Sequence, residues 1–468
     1  MQRALIVAVV AGCHHGGGPV TRVTVLGLGY LGTTHAACMA ELGFEVLGVD
    51  SDPERVSALA VGKSPFFEPG LNDLVAQHVA TGRLRVTQSL AEAAEFGDVH
   101  FICVGTPQRR GGYEMDLRAV AAVVEGICPH ISCPALLVGK STVPVGTADR
   151  LTARVRQVAP AGAAVEVAWN PEFLREGSAI ADTLHPNRII LGVASASAER
   201  ILRSIYQPIS DRDIPVIVTD LATAELSKLA ANAFLATKIS FINAMAEICE
   251  ASGADVRQLS TVLSHDPRIG NQFITPGLGF GGGCLPKDLR ALIACAEGLG
   301  SAASTAFLVE IDRINARRRQ RTVDLARELC GGALAGKRVA LWGAAFKPNS
   351  DDIRDSPALA VAESVRAEGA EVTVYDPRAN DNARKLHPFL TYAEDPVDAA
   401  VDADVLVHAT EWDLFRDMDP RAVGQVVAGR RVVDGRGTLD PSRWRDAGWT
   451  YRALGEASAP IATRGHTA

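Results

Sequence analysis

Val23-Thr24-Val25-Leu26-Gly27-Leu28-Gly29-Tyr30-Leu31-Gly32 is a short β-rich run that flows into a G-x-G-x-x-G turn. A helical stretch from Thr33 to Leu42 follows, and Phe44-Glu45-Val46-Leu47-Gly48-Val49-Asp50 supplies a second strand that ends in an acid. The glycine pattern alone is weak, but strand, turn, helix, strand and terminal Asp together spell a dinucleotide-binding βαβ unit. Gly27 makes the tight turn, Gly29 admits a pyrophosphate, Gly32 lets helix and strand pack, and Asp50 can accept from a ribose 2′-hydroxyl. A carboxylate there repels a 2′-phosphate, so the expected cofactor is NAD and not NADP. The competing reading is a Rossmann-type domain that binds nothing.

Further strands are expected at Val99–Val104, Ala135–Val138 and Val165–Trp169. The first two run into Gly105-Thr106-Pro107 and Ser141-Thr142-Val143-Pro144. In a doubly wound sheet the ligand lies beyond the carboxyl ends of the strands, where those residues fall. After Trp169, Asn170 reads as an N-cap and Pro171 as a first helical residue, which would put Glu172 and Glu176 on one helix face at i, i+4. Two acids there equally well complement a helix dipole, and both readings stand on the sequence.

From Leu221 to Ala251 there is no Pro or Gly, and Ala, Leu, Ile and Phe are dense. Such a helix usually runs through a domain junction or a subunit interface. Lys228 and Asn232 project from one of its faces.

Gly279-Phe280-Gly281-Gly282-Gly283-Cys284-Leu285-Pro286-Lys287-Asp288 then places a thiol immediately before a helix start, with helical spacing of Leu289, Leu292, Ile293 and Ala296 beyond it. The helix N-terminus and Lys287 favour thiolate over thiol. Asp288 lies within one turn as a partner acid or base. The plainer alternative is a buried cysteine in a glycine-rich turn.

A third module has strands at Lys337–Trp342, Glu371–Tyr375, Val405–His408 and Arg431–Asp434, with a helix over Pro357–Glu368. Its first turn, Gly343-Ala344-Ala345-Phe346, lacks the dinucleotide fingerprint, so it should bind something other than a second NAD. Lys347, Arg354 and Arg436 sit at or after strand ends and could hold phosphate.

The balance of the 468 residues is ordinary for a soluble globular chain: 22% charged, 47% hydrophobic, net charge -7. A nucleic-acid role therefore has no electrostatic support. The basic run Arg313–Arg321 reads as the solvated face of a helix. Nine cysteines without a Cys-x-x-Cys imply a reducing compartment and no structural metal. No stretch reaches the apolar length of a membrane span. Met1–Gly12 is apolar and Val10-Ala11-Gly12-Cys13 resembles a lipoprotein cleavage box, but the apolar core is short and its positive end weak, so export is disfavoured and residues 1–20 are read as a disordered extension or as the product of an upstream start codon wrongly chosen. Residues 456–468 are read as a disordered tail.

In order along the chain come Gly27-x-Gly29-Tyr30-Leu31-Gly32, Gly105-Thr106-Pro107, Lys140–Thr147, Asn170–Gly177, Glu225–Asn232, the Cys284 loop, Ala345-Phe346-Lys347 and Asp434-Gly435-Arg436. From about Arg22 to Gly455 the chain thereby resembles the UDP-glucose 6-dehydrogenase branch of the nucleotide-sugar dehydrogenases. The resemblance implies an α/β fold of two Rossmann-like domains joined by a long central helix or helical domain. It divides the chain into an NAD-binding domain at 21–206, a helical dimerisation domain with the cysteine loop at 207–332, and a UDP-sugar-binding domain at 333–455. It also implies a cytoplasmic homodimer that oxidises UDP-glucose with NAD for polysaccharide biosynthesis, with no membrane and no nucleic acid among its partners.

By the same resemblance Cys284 is the nucleophile, Lys228, Asn232 and Asp288 surround the reacting carbon, Glu172 serves thioester hydrolysis, and Thr142, counted among the catalytic residues, lies with Glu176 at the cofactor and sugar. Gly27, Gly29, Tyr30, Leu31, Gly32, Asp50, Arg55, Thr106, Pro107, Ser141, Thr142, Glu176, Lys287 and Arg354 are implied to bind NAD. Glu172, Phe173, Leu174, Arg175, Glu176, Lys228, Asn232, Phe273, Gly281, Phe346, Lys347 and Arg436 are implied to hold the nucleotide sugar, with Arg268 reaching it in a partner subunit. Two positions depart from the family: Gly283 where Ser usually precedes the cysteine, and Gly437 where Asn usually follows Asp-Gly-Arg. GDP-mannose or UDP-N-acetylmannosamine as substrate, a two-electron hydroxy-acid dehydrogenase, and a non-catalytic NAD-binding protein are the rival readings.

Overall fold

The structure, a computed structural model, describes residues 22–456; the N-terminal extension and most of the expected tail lie outside the described residues. The chain divides into two compact units, with the boundary between Ala231 and Asn232.

The first unit is built on an eight-stranded sheet: β1 (Arg22–Leu26), β2 (Glu45–Val49), β3 (Leu84–Thr87), β4 (Val99–Ile102), β5 (Ala135–Gly139), β6 (Val165–Trp169), β7 (Ile189–Gly192) and β8 (Val216–Thr219). Their order is β3-β2-β1-β4-β5-β6-β7-β8. Every pair is parallel except β6 with β7, which meet antiparallel at Trp169 and Gly192. Both faces are covered, which is why the strands read as apolar runs and not as alternation. Val23, Val25, Val46, Val99, Phe101, Leu136 and Val138 enter one core layer. Their neighbours Leu26, Leu47, Val49, Ile102 and Leu137 enter the other. Order reverses between β1 and β4, so the crevice at their carboxyl ends is the ligand position of such a sheet.

The second unit holds a six-stranded, wholly parallel sheet: β9 (Arg338–Trp342), β10 (Glu371–Tyr375), β11 (Thr391–Tyr392), β12 (Val405–His408), β13 (Arg431–Asp434) and β14 (Thr450–Ala453). Its order, β11-β10-β9-β12-β13-β14, repeats the reversal of the first sheet. This unit also carries the helices Leu285–Gly298 and Ala306–Leu329.

The helix Leu221–Ser252 crosses the boundary and, at 32 residues, is about 48 Å long. Asp220 starts it by accepting from the Thr223 N–H (2.8 Å), and Gly253 ends it at φ 79°. By length and composition this helix is apolar enough to cross a membrane, against the expectation that no segment is. Its polar residues Glu225, Lys228 and Asn232 are nonetheless buried against protein partners.

Two other expectations fail. Residues 171–178 form no helix, and the helix begins only at Ala179. The Asn170 side chain is held elsewhere, donating to Ile190 O (2.7 Å) and accepting from Lys140 (2.7 Å), so it cannot cap. Glu172 and Glu176 therefore share no helix face. The basic run is likewise not one solvated face, because Arg318 within it is fully buried, 3.6 Å from Glu250.

Candidate active site

In the first unit the glycines have the backbone geometry and clearances such a turn needs. Gly27 has φ 94°, and a Cβ there would stand 2.6 Å from Val104 Cγ1. A Cβ on Gly32 would overlap the Gly27 carbonyl, so glycine is what lets the helix Tyr30–Glu41 pack on β1. Gly29 has open space around it, as close approach of a phosphate requires. Asp50, at the end of β2, accepts from Leu28 N (2.7 Å) and Asp52 N (3.0 Å) and pairs with Arg55 (2.9 Å). A carboxylate has about four lone-pair sites, so one remains for a ribose hydroxyl. The residues present fit NAD.

Loop ends gather beside this crevice. Thr106 donates to Thr142 O (2.7 Å) and Ser141 to Val104 O (2.6 Å), which locks the turn after β4 to the turn after β5; Pro107 follows in the same turn. Glu172 receives the Lys228 ammonium on Oε1 (3.1 Å) and the Leu174 N–H on Oε2 (2.7 Å), with both side chains largely buried. The Phe173 ring is flanked by Arg188 at 3.9 Å and Lys228 at 5.3 Å from its centroid. Arg175 is held at the surface by Asp182 (2.7 Å).

Glu68 is one residue the sequence reading passed over. Buried, it accepts from the Tyr30 hydroxyl, Gly177 N (2.6 Å) and Ala179 N (2.8 Å), so it ties the first turn of the nucleotide fold to the segment bearing Glu176. Burial, and then Glu68 itself, pushes the Tyr30 hydroxyl well up and keeps it protonated. Glu225 is another: it accepts from Gly146 N and Ala148 N (both 2.6 Å) at the start of the helix Thr147–Val158, and burial raises its carboxyl to about 6. An acid beside Pro69-Gly70 and an acid inside an apolar helix were the available signals.

In the second unit Cys284 is exposed and caps the helix Leu285–Gly298, and its carbonyl accepts from Asp288 N (2.8 Å). Asp288 is fully buried between Asn232 Nδ2 (2.6 Å) and Lys287 Nζ (2.5 Å). The glycines before the cysteine are packed from all sides. A Cβ on Gly281 would meet Asp355 O and the Pro357 ring, and one on Gly282 would lie 2.7 Å from the Phe346 ring. At Gly283 it would meet only the Arg354 guanidinium, the far end of a flexible side chain that can give way. Arg354 also pairs with Asp352 (2.6 Å).

The second sheet uses its turn differently from the first. Asp376, after β10, accepts from Ala344 N (2.8 Å) and Ala345 N (2.9 Å), so the turn after β9 already has partners for these N–H groups. Arg436 donates to Ala409 O (2.7 Å), Phe346 O (3.0 Å) and Gly279 O (3.3 Å), clasping the cysteine loop to the strand ends where a phosphate contact was expected of it. Lys347 lies 5.5 Å from the Phe346 ring centroid. Gly437 has φ 66°, a conformation that Gly and Asn tolerate best, so the departure from Asn keeps the backbone shape. Phe273 also has a positive φ of 61°, a strained value for an aromatic residue. Arg268 is exposed and paired with Asp266 (2.6 Å).

Asp434 organises the loop that carries Arg436. It takes hydrogen bonds from His408 (2.9 Å), Arg436 N (3.0 Å), Gly437 N (2.8 Å), Leu439 N (2.9 Å) and the Tyr451 hydroxyl (2.8 Å). Burial alone would raise its carboxyl, but His408, Tyr451 and Leu439 outweigh burial and hold it below the ordinary value. Its contribution to stability is therefore full above an ordinary pKa of about 3.9 and is lost as pH falls through the depressed folded value. Asp434→Ala should destabilise the protein by about 3–5 kcal/mol, measured by urea unfolding at neutral pH, and that difference should shrink on acidification.

Comparison with known proteins agrees with this geometry. Three models of the UDP-glucose/GDP-mannose dehydrogenase family match: the NAD binding domain at 21–210, the central domain at 222–317 and the UDP binding domain at 340–441. A UDP-glucose 6-dehydrogenase of Rhizobium meliloti is 41% identical over 437 residues, covering 93% of this chain and 99% of the relative. One from Pseudomonas aeruginosa is 40% identical over 451 residues, covering 94% and 98%. A solved UDP-glucose dehydrogenase of Pyrobaculum islandicum superposes with a TM-score of 0.87 at 37% identity, covering 95% of this chain and all of that one. With the nucleotide fold, the cysteine-capped helix and near full-length identity in agreement, this chain belongs to the UDP-glucose/GDP-mannose dehydrogenase family.

Proposed function

We propose that the protein oxidises UDP-glucose to UDP-glucuronate, using NAD twice and a covalent intermediate on Cys284. The observation that carries this reading is the exposed thiol at a helix N-terminus, one turn before a buried Asp288 held by Asn232 and Lys287. Full-length relatives named for UDP-glucose support the choice of sugar.

When bound, NAD supplies the hydride acceptor for each oxidation; Gly27, Gly29, Gly32 and Asp50 are the residues that would hold it. Taking a primary alcohol to a carboxylate removes four electrons, and the protein's residues handle protons and the acyl group. Lys228 and Asp288 assist loss of the C6 hydroxyl proton. The Cys284 thiolate adds to the aldehyde carbon to give a thiohemiacetal, whose oxidation leaves a thioester. Glu172 assists the water that hydrolyses it, Lys228 and Asn232 stabilise the oxyanion, and Thr142 orients the reacting group. Glu176, Arg55, Arg354 and Lys287 serve the cofactor; Phe173, Leu174, Arg175, Phe273, Gly281, Phe346, Lys347 and Arg436 serve the nucleotide sugar.

We divide the chain functionally at 206/207 and 332/333, and we place it in the cytoplasm. We also read the long helix as the seat of a homodimer, with Arg268 reaching the partner's substrate. Phe234, Phe241 and Ile248 are 67%, 48% and 57% exposed and recur every seventh residue, a spacing that suits a second helix.

The test is purified protein with NAD and a panel of UDP-glucose, UDP-galactose, UDP-N-acetylmannosamine and GDP-mannose. The highest kcat/KM is expected for UDP-glucose; a higher value for GDP-mannose would overturn the substrate while leaving the cysteine chemistry standing. Cofactor choice rests on Asp50. Asp50→Ala should weaken NAD by about ten- to a hundredfold, as loss of a charged hydrogen bond implies, and relieve rejection of NADP. Equal use of both cofactors by the parent would contradict this.

A further inference from the structure

Lys140 stands directly after β5 and Asn170 directly after β6, strands paired through Gly139 and Trp169. Although it lies at the carboxyl edge of the sheet, Lys140 is only 7% exposed. Its Nζ donates to Asn170 Oδ1 at 2.7 Å and lies 3.4 Å from the Tyr206 hydroxyl, which donates to the same oxygen at 2.5 Å. The Asn170 amide nitrogen donates in turn to Ile190 O at 2.7 Å. One amide thus joins β5, β6, β7 and the helix Ala196–Ser210. A neutral side chain could make such a cross-link. An ammonium buried without a carboxylate in contact is costly, so its charge calls for a further explanation.

The explanation lies two residues on. Thr142 follows Lys140, and Glu172 follows Asn170, at the same spacing from the anchor. We propose that Lys140 is a positioning residue for the reaction: through Asn170 it fixes the strand ends that carry Thr142 and Glu172. This rests on the reading of Glu172 as the group that assists thioester hydrolysis.

The groups around Nζ bear on its protonation. Burial and the Lys228 charge pull the Lys140 ammonium down to about 8, against opposite influences from Cys103 and Glu172. Cys103 is itself pushed up to about 12 by burial, Tyr206 is pushed up by burial, and His35, on the helix over the sheet, is held neutral by burial and by Lys140. Of Lys140, Cys103, Tyr206 and His35, Lys140 is the one that changes charge near pH 8. Turnover should fall above about pH 8 as the ammonium is lost, whereas ionisation of the Cys284 thiol makes the rate rise with pH.

The test compares the parent with Lys140→Met, Lys140→Gln and Glu172→Gln. Readouts are melting temperature, NAD affinity, kcat from about pH 6 to 10, and the mass of acid-quenched protein, which reports acyl adduct on Cys284. Lys140→Met should keep NAD affinity within about threefold, lower kcat at least about twentyfold, accumulate the adduct and lose the alkaline limb. Lys140→Gln, which can still donate to Asn170, should recover part of kcat but not the limb. Folded Lys140→Met with parental kcat and the same alkaline limb overturns the proposal, and so does loss of melting temperature and NAD affinity without adduct. If Lys140→Met does not fold, Lys140→Gln returns the same answers through adduct and limb. Adduct in Glu172→Gln but in neither Lys140 variant removes only the role of Lys140. Parental turnover by Glu172→Gln overturns both readings.

Discussion

Cys284→Ser should bind NAD like the parent and make UDP-glucuronate at least about a thousandfold more slowly. The hydroxyl is nearly the shape of the thiol, and Cys284 is an exposed helix cap whose backbone carbonyl, not its side chain, accepts from Asp288 N. Folding should therefore be unaffected. What is lost is the nucleophile: a helix N-terminus and a nearby lysine assist ionisation of a thiol whose ordinary pKa is about 8.5, but they cannot ionise an alcohol. The measurement is NADH formation together with product analysis. A Cys284→Ser enzyme that still makes the acid at the parental rate would rule out the thioester route.

Asp288→Asn should lower kcat by about 10²–10⁴ and cost about 1–3 kcal/mol of stability, read as a drop of a few degrees in the melting temperature of a protein that still folds. The substitution conserves shape, but the buried carboxylate accepts from both Asn232 and Lys287. An amide has one acceptor and one donor end, so one neighbour must face an N–H₂ group, and the negative charge beside the Lys287 ammonium disappears. NAD affinity should change only through Lys287, which Asp288 holds and which we assign to the cofactor. Unchanged kcat in a folded Asp288→Asn protein would remove Asp288 from the chemistry and leave it a structural acid.

Both sheets were legible largely because parallel strands buried on two faces are written as unbroken apolar runs, and because the glycine turn, the strand-terminal Asp50 and the proline- and glycine-bounded cysteine helix are local signals. What escaped depends on partners remote in sequence. The strand Val216–Thr219 is apolar in sequence but short and half-buried at a sheet edge, and a short apolar run cannot be told from a helix segment by periodicity alone. Asn170-Pro171 has the local signature of a helix start, yet Asn170 is bound by Lys140, thirty positions earlier, and by Tyr206, thirty-six later. Tertiary partners overrode the cap. Glu68 reaches Gly177 across more than a hundred positions, which no periodicity reveals. Arg318 looked solvated because a charge run usually lines an exposed helix face, and only the packing of its helix put it inside. Both departures from the family were visible in the sequence, but not that the Gly437 backbone lies at a positive φ, which Gly and Asn tolerate best.

The central claim is a four-electron oxidation in which one cofactor domain serves twice and Cys284 holds the substrate between the two steps. Its most direct test is the amount of NADH formed when limiting UDP-glucose is consumed to completion by the intact protein in excess NAD. Two NADH per UDP-glucose, with UDP-glucuronate as the product, is the result predicted; one NADH per sugar, with an aldehyde released, would contradict it.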